Sequence, residues 1–416
     1  MIFDSKKHEG TCQCGSSHKI NTLFCVVEDG CLKKIDKYMN DYDLNGYTVS
    51  VYDENTYKAT SDRHPQVDFE IVLPAENLHA NEHGVGMLLE KLPKETEILI
   101  AIGAGTIHDI TRYCAYEKKI NFVSCPTAAS VDGFCSSVAA MTWNGCKKTL
   151  TAVAPKIVIA DLEIIKNAPI RLAKSGFGDM IGKYVSLTDW KIGSLLTNEI
   201  YCEKIADMTF EATKEVTESA ENIISGDVTA YEKLMYGLLL SGIAMQMLGN
   251  SRPASAAEHH ISHLIEMEPE ALNIHSTALH GEKVGVATLM VIKEYKKLTQ
   301  NTTNFRDYKC YSEELICNVF GENLSDGILS ENSNDVASKI TGSKIASVWP
   351  QICEEVKKIP ETDKLLLLYN KLNACVKLND IEVDEGLSNQ LLDYSPMVRN
   401  RLTLMRIRKC LIRNCL

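Results

Sequence analysis

The sequence predicts an α/β domain with a mostly parallel sheet, followed by an all-helical domain. The first half alternates short apolar runs, rich in Val, Ile and Tyr, with segments of helical spacing. The second half has helical spacing almost throughout and few strand signals. A chain of 416 residues with 45% apolar content is long enough for two or three globular domains. We expect one domain at residues 1–168 and one at 169–416, with the boundary between residues 167 and 171.

Composition narrows the class of protein. The net charge of −11 argues against a general nucleic-acid binder. Fifteen cysteines in a large chain without a signal peptide indicate reduced thiols in the cytoplasm, not a disulfide framework. The longest apolar run, at 234–249, is shorter than the ~20 residues of a membrane helix and predicts a buried core helix. The basic run at 399–413 predicts an amphipathic terminal helix at the surface or at an interface.

Apolar runs in the first half are the candidate strands. Each run has strand-forming residues and is bounded by polar residues or by Gly and Pro. Spacings of roughly twenty to thirty residues leave room for crossover helices, which favours parallel strands with helices on both faces. The runs are residues 47–52, 69–73, 98–102, 121–125 and 157–160.

The first of these strands ends at Asp53. A carboxylate at a strand's end can accept hydrogen bonds from both hydroxyls of a ribose diol, and it repels a 2′-phosphate. Because Glu54, Asn55 and Thr56 follow, a turn or helix cap is the alternative interpretation.

The strand at 98–102 is followed by Gly-Ala-Gly-Thr-Ile-His-Asp at residues 103–109. Glycines let a backbone approach a pyrophosphate, and the free amides at a helix N-terminus bind anions. The spacing departs from G-x-G-x-x-G because His108 stands at the third glycine position. The place of the motif between a strand and a helical pattern indicates a nucleotide-binding turn.

The strand at 121–125 is followed by a loop of small and hydroxyl residues at 126–137, Pro-Thr-Ala-Ala-Ser-Val-Asp-Gly-Phe-Cys-Ser-Ser. Such a loop can lie close to a ligand and donate several hydrogen bonds to it. Asp132 is its one charged residue. A structural Ω-loop is the alternative.

The first helical segment of the second half carries an unusually placed acid. Asp179 is flanked by small and apolar residues, where an unpaired carboxylate would be costly. A metal ion would stabilise it, and Lys183 one turn later could meet an anionic substrate. A buried salt bridge between Asp179 and Lys183 is the alternative. The predicted helical segments are residues 168–195, 200–224, 230–248 and 283–298.

Five of the eleven histidines fall between residues 259 and 280. A helix with Ser255 as its cap and Glu258 three residues later would place His259 and His263 on one face. His280 would come from a second helix. Two imidazoles with one carboxylate form a familiar open metal site, whereas a helix that is merely rich in His is the alternative.

The N-terminal segment Cys12-Gln13-Cys14 with His18 is similar to part of a metal knuckle. The sequence offers no second ligand pair at suitable spacing nearby. Two interpretations therefore stay open, a polar N-terminal feature and an accessory metal site.

Together these motifs resemble the sn-glycerol-1-phosphate dehydrogenases, a branch of the superfamily of iron-containing alcohol dehydrogenases, glycerol dehydrogenase and dehydroquinate synthase. The resemblance runs from about residue 48 to about residue 285. It implies a Rossmann-like N-terminal domain that binds nucleotide, and a helical C-terminal domain that binds metal and substrate, as in a dehydroquinate synthase-like fold. The segments that carry it are residues 105–109, 126–133, 176–179 and 251–255.

The resemblance also implies roles for individual residues. The metal ligands and catalytic residues would be Asp179, His259 and His280. The substrate would be bound by Asp132, Asp179 and His263. Lys183, by its position one turn after Asp179, would add a positive charge to this group. The Asp at the first ligand position favours the dehydrogenases, because dehydroquinate synthase has Glu there. The cofactor would contact Asp53, Gly105, Thr106, Ile107, His108, Asp109, Thr127, Ser130 and Ser136.

The implied reaction interconverts dihydroxyacetone phosphate and sn-glycerol 1-phosphate, with NAD or NADP and one divalent ion, zinc or nickel. The alternatives are a dehydrogenase of glycerol or another small polyol, a lyase of the dehydroquinate type, and a non-catalytic metal- or nucleotide-binding protein. We expect a cytoplasmic homo-oligomer in phospholipid metabolism with a small phosphorylated substrate, no nucleic-acid partner and no membrane span.

Overall fold

The structure, a computed structural model, describes residues 1–8, 10–143 and 146–413. The chain forms two compact units. Unit 1 comprises Met1–Met180 and Lys214–Asn250, and unit 2 comprises Ile181–Thr213 and Ser251–Leu416. The division between units thus falls later in the chain than the predicted domain boundary, and residues 214–250 belong with the N-terminal part.

Unit 1 is built on a sheet that contains, among the described residues, seven strands. Their order across the sheet is β1 (Ile2–Asp4), β4 (Phe24–Glu28), β11 (Ile157–Asp161), β8 (Asn121–Pro126), β7 (Ile98–Gly103), β5 (Thr48–Asp53) and β6 (Phe69–Leu73). Neighbouring strands are parallel except for β1, which pairs with β4 in the antiparallel sense. All five predicted strands are confirmed to within one residue. The other described strands of unit 1 form two separate two-stranded sheets, β2 (Gly10–Thr11) with β3 (Ser17–His18) and β9 (Val138–Trp143) with β10 (Cys146–Thr151).

The sheet reverses its winding between β5 and β7. From β5 the chain passes outward to the edge strand β6, and it then returns to form β7 on the other side of β5. Val51 pairs with Ala101, so the carboxyl ends of β5 and β7 lie at the same level of the sheet. Ligands of open α/β sheets bind in the crevice at such a switch point.

The helices of unit 1 cover this sheet and include the predicted core helix. Helix α10 (Val228–Leu248) is buried along most of its length and packs against β4 and α5 (Leu162–Asn167), which explains why residues 214–250 belong to unit 1. These helices are α1 (Ile35–Asp41), α2 (Glu54–Ala59), α3 (Glu82–Lys91), α4 (Gly105–Lys118), α5 (Leu162–Asn167), α6 (Ile170–Ile181), α9 (Glu221–Ile224) and α10 (Val228–Leu248), with α8 (Glu203–Ser219) shared between the units.

Unit 2 is helical, with a short two-stranded antiparallel sheet formed by β12 (Thr302–Phe305) and β13 (Leu411–Arg413). The predicted segment 168–195 is broken at Gly182, and the segment 200–224 is broken at Ala220. The helices are α7 (Lys183–Leu196), α11 (Ala257–Met267), α12 (His280–Asn301), α13 (Glu313–Phe320), α14 (Glu322–Asn332), α15 (Gly342–Lys357), α16 (Thr362–Lys371), α17 (Ser388–Tyr394) and α18 (Leu404–Ile407).

The prediction of an amphipathic terminal helix at 399–413 is wrong. The only α-helix there, within the described residues, is the four-residue α18, and β13 follows it. Arg406 is fully buried and bonds Asp335, and Arg408 bonds Glu294. These arginines pair with acids far away in the sequence, so their spacing did not reflect a solvated helix face.

None of the helices in the described residues combines the length and the apolar content that a membrane crossing requires.

Candidate active site

Three imidazoles of unit 2 form a cluster on α11 and α12. The ring centroids of His259 and His280 are 5.4 Å apart, those of His263 and His280 5.9 Å, and those of His259 and His263 6.0 Å. His259 and His263 share one face of α11, as their spacing predicted, and His280 is the first residue of α12. The sequence therefore identified the two helices that bring these side chains together.

Each of the two predicted metal-binding histidines is oriented by a carboxylate. Nδ1 of His259 lies 2.7 Å from Oε1 of Glu258, and Nδ1 of His280 lies 2.9 Å from Oε1 of Glu266. Because an ionised carboxylate only accepts, Nδ1 carries the proton and Nε2 keeps its lone pair. Metal-binding histidines almost always donate the second ring N–H to a carboxylate, a backbone carbonyl or water. The donor chemistry of His259 and His280 thus fits a divalent cation.

The pKa values of two groups in this cluster, His263 and Glu266, are strongly shifted. Burial, with smaller contributions from His280 and His259, lowers the pKa of His263 to about 3 against the opposing effect of Glu266. Burial alone would raise the pKa of Glu266, but His280, His263 and Lys283 together hold it well below its usual range. At neutral pH, His263 is therefore a neutral hydrogen-bonding group and Glu266 is an anion.

His260 points away from the cluster. It is 1% exposed, and neither ring nitrogen has a hydrogen-bond partner among the described residues. Burial, together with Arg401 and other nearby positive groups, lowers its pKa well below the usual value. The helix geometry thus assigns His260 to the core and leaves His259 as the neighbour of His263 and His280.

The predicted capping of α11 by Ser255 is wrong. The cap residue is Ala256, whose N–H donates to Oε1 of Glu258 at 2.9 Å, and no side chain caps the helix from that position. The next amide, of Ala257, donates to the buried Asp189 at 3.3 Å. Burial raises the pKa of Asp189 to about 7. Sequence reasoning missed Asp189 because its partners come from three distant helices.

The segment before α11 is fixed by side chains from other parts of unit 2. Nζ of Lys183 donates to the carbonyl of Ala254 at 3.0 Å, and the Lys183 side chain is fully buried. Arg252 pairs with Glu199, and Arg401 donates to the hydroxyl of Ser251 at 2.9 Å. The contacts position the start of α11, and with it His259.

In unit 1, Asp179 lies beside Asp132. The Asp179 side chain is fully buried, and its Oδ2 accepts the N–H of Asp132 at 3.0 Å. Oδ2 of Asp132 in turn accepts the hydroxyl of Ser241 at 2.8 Å. A Cβ on Gly176 would stand 2.1 Å from the carbonyl oxygen of Ala129, so only glycine lets α6 approach the loop this closely. Asp179 is next to the last residue of unit 1 before the chain enters unit 2.

Hydrogen bonds from Arg112 hold the loop at 126–137 in place. No sequence motif indicated this residue. Arg112 is 1% exposed and donates to the carbonyls of Phe134, Ser136 and Val138. The Ser136 hydroxyl also donates to the Val138 carbonyl, at 2.9 Å. Thr127 and Ser130 are both 6% exposed. The loop is therefore fixed in place, with Thr127 and Ser130 buried, Ser136 half-buried and Ser137 exposed.

The turn at 103–109 starts α4 at the switch point of the sheet. The cap residue, Ala104, makes no side-chain capping bond, so the first amides of α4, at Gly105 and Thr106, are not capped by it. A Cβ on Gly103 would stand 2.6 Å from Cβ of Ile107, so this glycine serves strand–helix packing. The geometry fits an anion such as a pyrophosphate at the α4 N-terminus.

The side chain of His108, by contrast, has a structural role. Nδ1 lies 3.0 Å from the Ala104 carbonyl and Nε2 lies 2.8 Å from the Ser124 hydroxyl. Burial and the charge of Arg112 lower its pKa to about 3. Asp109, one residue on, lies 3.8 Å from Arg112. The side chains of Ile107 and His108 are buried, and the contacts of residues 105–109 with a cofactor stay a prediction.

Asp53 caps a helix, as the alternative interpretation held. Its Oδ1 accepts the amides of Asn55 at 2.8 Å and Thr56 at 2.9 Å, which begin α2. Both of these bonds go to the same carboxylate oxygen. Asp53 is the last residue of β5, whose end lies next to the end of β7. A capping role and a ribose-binding role are compatible at this position.

Comparisons with known proteins agree with this architecture. The family model of the iron-containing alcohol dehydrogenases matches residues 26–169. A glycerol-1-phosphate dehydrogenase (NAD(P)+) from Bacillus licheniformis is 32% identical over 418 residues, which cover 98% of this chain and 94% of the relative. A second glycerol-1-phosphate dehydrogenase (NAD(P)+), from Bacillus subtilis, is 39% identical over 301 residues, which cover 69% of this chain and 76% of the relative. The solved structure of sulfoacetaldehyde reductase from Bifidobacterium kashiwanohense in complex with NAD+ has a similar fold, with a TM-score of 0.61 at 14% identity over 94% of this chain and 96% of that chain.

Proposed function

The chain belongs to the glycerol-1-phosphate dehydrogenases of the iron-containing alcohol dehydrogenase superfamily, and from this membership we propose that it interconverts dihydroxyacetone phosphate and sn-glycerol 1-phosphate with NAD(P). The observation that carries the proposal is the near-complete coverage of a relative with that name at 32% identity. The histidine cluster of unit 2 and the switch-point crevice of unit 1 support it, because this reaction needs a cation site and a dinucleotide site.

We further propose that Asp179, His259 and His280 hold one divalent cation, zinc or nickel. The carboxylates on Nδ1 of the two histidines support this, because they leave Nε2 of each ring as the ligand atom. When bound, the cation would supply Lewis-acid polarisation of the substrate carbonyl. Glu258 and Glu266 keep both imidazoles in the tautomer that such a site needs.

The dinucleotide would lie at the switch point of the sheet. The amides of Gly105 and Thr106 at the α4 N-terminus suit its pyrophosphate, and Asp53 at the end of β5 suits a ribose diol. The other proposed contacts are Ile107, His108, Asp109, Thr127, Ser130 and Ser136. The nicotinamide ring would supply the hydride.

We propose that two side chains bind the phosphate of the substrate and that one carboxylate binds its hydroxyl end. His263, neutral at physiological pH, can donate one hydrogen bond to a phosphate oxygen, and Lys183 contributes a positive charge. Asp132 suits the hydroxyl end of the substrate, because a carboxylate beside a phosphate would repel it.

The compartment, the oligomeric state and the metabolic role of the enzyme are also proposed. We propose a cytoplasmic homo-oligomer that takes part in phospholipid metabolism. The cysteines support this compartment, because thirteen of the fifteen in the chain are free thiols.

One assay tests the reaction itself. NADH consumption should require dihydroxyacetone phosphate, and dihydroxyacetone at the same concentration should be a far poorer substrate. The product should be sn-glycerol 1-phosphate, identified with a dehydrogenase specific for the opposite enantiomer as the control. Equal rates with the unphosphorylated ketone would instead indicate a polyol dehydrogenase, and absence of oxidation of both NADH and NADPH would remove the dehydrogenase assignment.

Asp53 should make the enzyme prefer NADH to NADPH, because its carboxylate repels a 2′-phosphate. Asp53→Ser is the matched test, since serine retains an oxygen to cap α2 and removes the charge. We expect kcat/KM for NADPH to rise by about tenfold, the effect of a favourable change of ~1.4 kcal/mol. Glu54→Gln, which removes the adjacent charge, is the control and should change the ratio less. A wild-type enzyme that uses NADPH at least as well as NADH would contradict this role of Asp53.

A further inference from the structure

A small cluster of thiols and imidazole lies in unit 1, on the hairpin formed by β2 and β3. Cys12 donates its N–H to the carbonyl of Ser16, and Gly15 donates its N–H to the carbonyl of Cys12, both at 2.9 Å. Gly15 has φ +85°, a conformation that favours glycine, and it closes this turn. The ligand atoms of Cys12, Cys14 and His18 lie within 4.8 Å of one another.

The distance between Cys14 and His18 matches that between two ligands of a tetrahedral zinc ion. Sγ of Cys14 lies 3.5 Å from Nε2 of His18. Bond lengths of about 2.3 Å to sulphur and about 2.0–2.1 Å to nitrogen, at a tetrahedral angle, place the two ligand atoms about 3.6 Å apart. A single hydrogen bond from the thiol to the imidazole would give a similar distance, so the third residue, Cys12, is what makes the group a candidate site.

His18 is held as a metal ligand is held. It is 3% exposed, and its Nδ1 lies 2.8 Å from the carbonyl oxygen of Met247 on α10. A carbonyl only accepts, so Nδ1 carries the proton and the lone pair of Nε2 is directed towards Cys14. A backbone carbonyl on the second ring nitrogen is one of the usual ways in which a metal-binding histidine is oriented.

The hairpin is also anchored independently of any ion. The amides of Asn21 and Thr22 donate to Oε1 of Gln246 at 2.8 and 3.2 Å, and Nε2 of Gln246 donates to the Thr22 hydroxyl at 2.8 Å. These bonds place the chain that follows His18 against the end of α10. The three ligand residues are therefore presented on a fixed support.

We propose that Cys12, Cys14 and His18 bind a structural zinc ion, a second metal site of this chain. Two thiolates and an imidazole favour zinc over the hard cations. Binding releases the two thiol protons to solvent and forms two Zn–S bonds and one Zn–N bond, which leaves one position for a further ligand. The ion would fasten the N-terminal hairpin to α10 and take no part in the hydride transfer.

The test replaces zinc by cobalt in the full-length protein. Thiolate ligands give cobalt(II) a charge-transfer absorption in the near ultraviolet, and the ligands proposed for the active site contain no sulphur. We expect this band in the wild type and its loss in Cys12→Ser/Cys14→Ser, together with the loss of one zinc equivalent per chain by elemental analysis. Cys310→Ser, which changes an exposed cysteine of unit 2, is the matched control and should keep both band and zinc.

Further measurements guard against a variant that fails to fold. Cys14→His keeps a ligand at the position and should retain the zinc with a weaker cobalt band. X-ray absorption on the wild-type zinc protein should show at least two sulphur neighbours and one imidazole. A wild-type cobalt protein without the band, or a double variant that binds as much zinc as the wild type, would mean that the cluster is only a thiol–imidazole hydrogen bond. The band reports on the hairpin whatever the outcome of the activity assays.

Discussion

Asp179→Asn is expected to give a folded protein that contains no stoichiometric active-site metal and is at least about 100-fold less active. Loss of a residue that merely orients a ligand costs 10–100-fold, and loss of a ligand should cost more. The fold should survive because asparagine has the same shape and can still accept the N–H of Asp132 through its side-chain oxygen. Removing a fully buried charge also removes a desolvation cost. Metal content, melting temperature and NADH oxidation measured on one preparation check all three statements.

A second buried aspartate of unit 1 provides the control. Asp161 is 1% exposed and accepts the amides of Gly30 and Leu32, each at 3.1 Å, away from the proposed site. Asp161→Asn should lower the melting temperature but leave the metal content and the activity per folded molecule near those of the wild type. An Asp179→Asn enzyme that retains its metal and its rate would remove Asp179 from the ligand set.

The parallel sheet could be predicted because its signals are local. The strands at Ile98–Gly103 and Asn121–Pro126 are buried on both faces, so their sequences are continuous apolar runs that need no partner to be recognised. The strand at Phe24–Glu28 has the same character but was not predicted. The order of the strands, and hence the switch point beside Asp53, follows from pairing between distant segments and is not written in any one run.

The histidine cluster could also be predicted because its signal is local. The distant side chains that hold this cluster in place could not be predicted. The spacing of His259 and His263 fixes their shared helix face, whereas Arg401 reaches the Ser251 hydroxyl across 150 residues of sequence. Likewise, the spacing of Arg406 resembled a surface helix although the residue is buried against Asp335. Charged residues that pair over long distances give no periodic signal, so only the structure assigns them to the interior.

The substitution Lys183→Met should raise KM for dihydroxyacetone phosphate by about 10- to 100-fold and leave KM for NADH nearly unchanged. This range corresponds to the ~1.5–3 kcal/mol of a hydrogen bond to a charged group. Methionine is the sharper change because Lys183 is fully buried, and alanine would add a cavity to the loss of the charge. Lys191→Met, on the same helix, removes a lysine that pairs with Glu203 and should leave both constants unaltered.

The competing account gives Lys183 a structural role only. Its ammonium donates to the Ala254 carbonyl at 3.0 Å, and this bond fixes the segment that leads into α11 and His259. On that account Lys183→Met would lower the melting temperature and the metal content together, and KM for dihydroxyacetone phosphate in the residual activity would stay near the wild-type value. Inorganic phosphate separates the two roles further, because a phosphate-binding lysine makes it a competitive inhibitor whose affinity falls in Lys183→Met. Unchanged inhibition by phosphate, with lost metal, would assign Lys183 to the support of the site and leave His263 as the remaining phosphate donor.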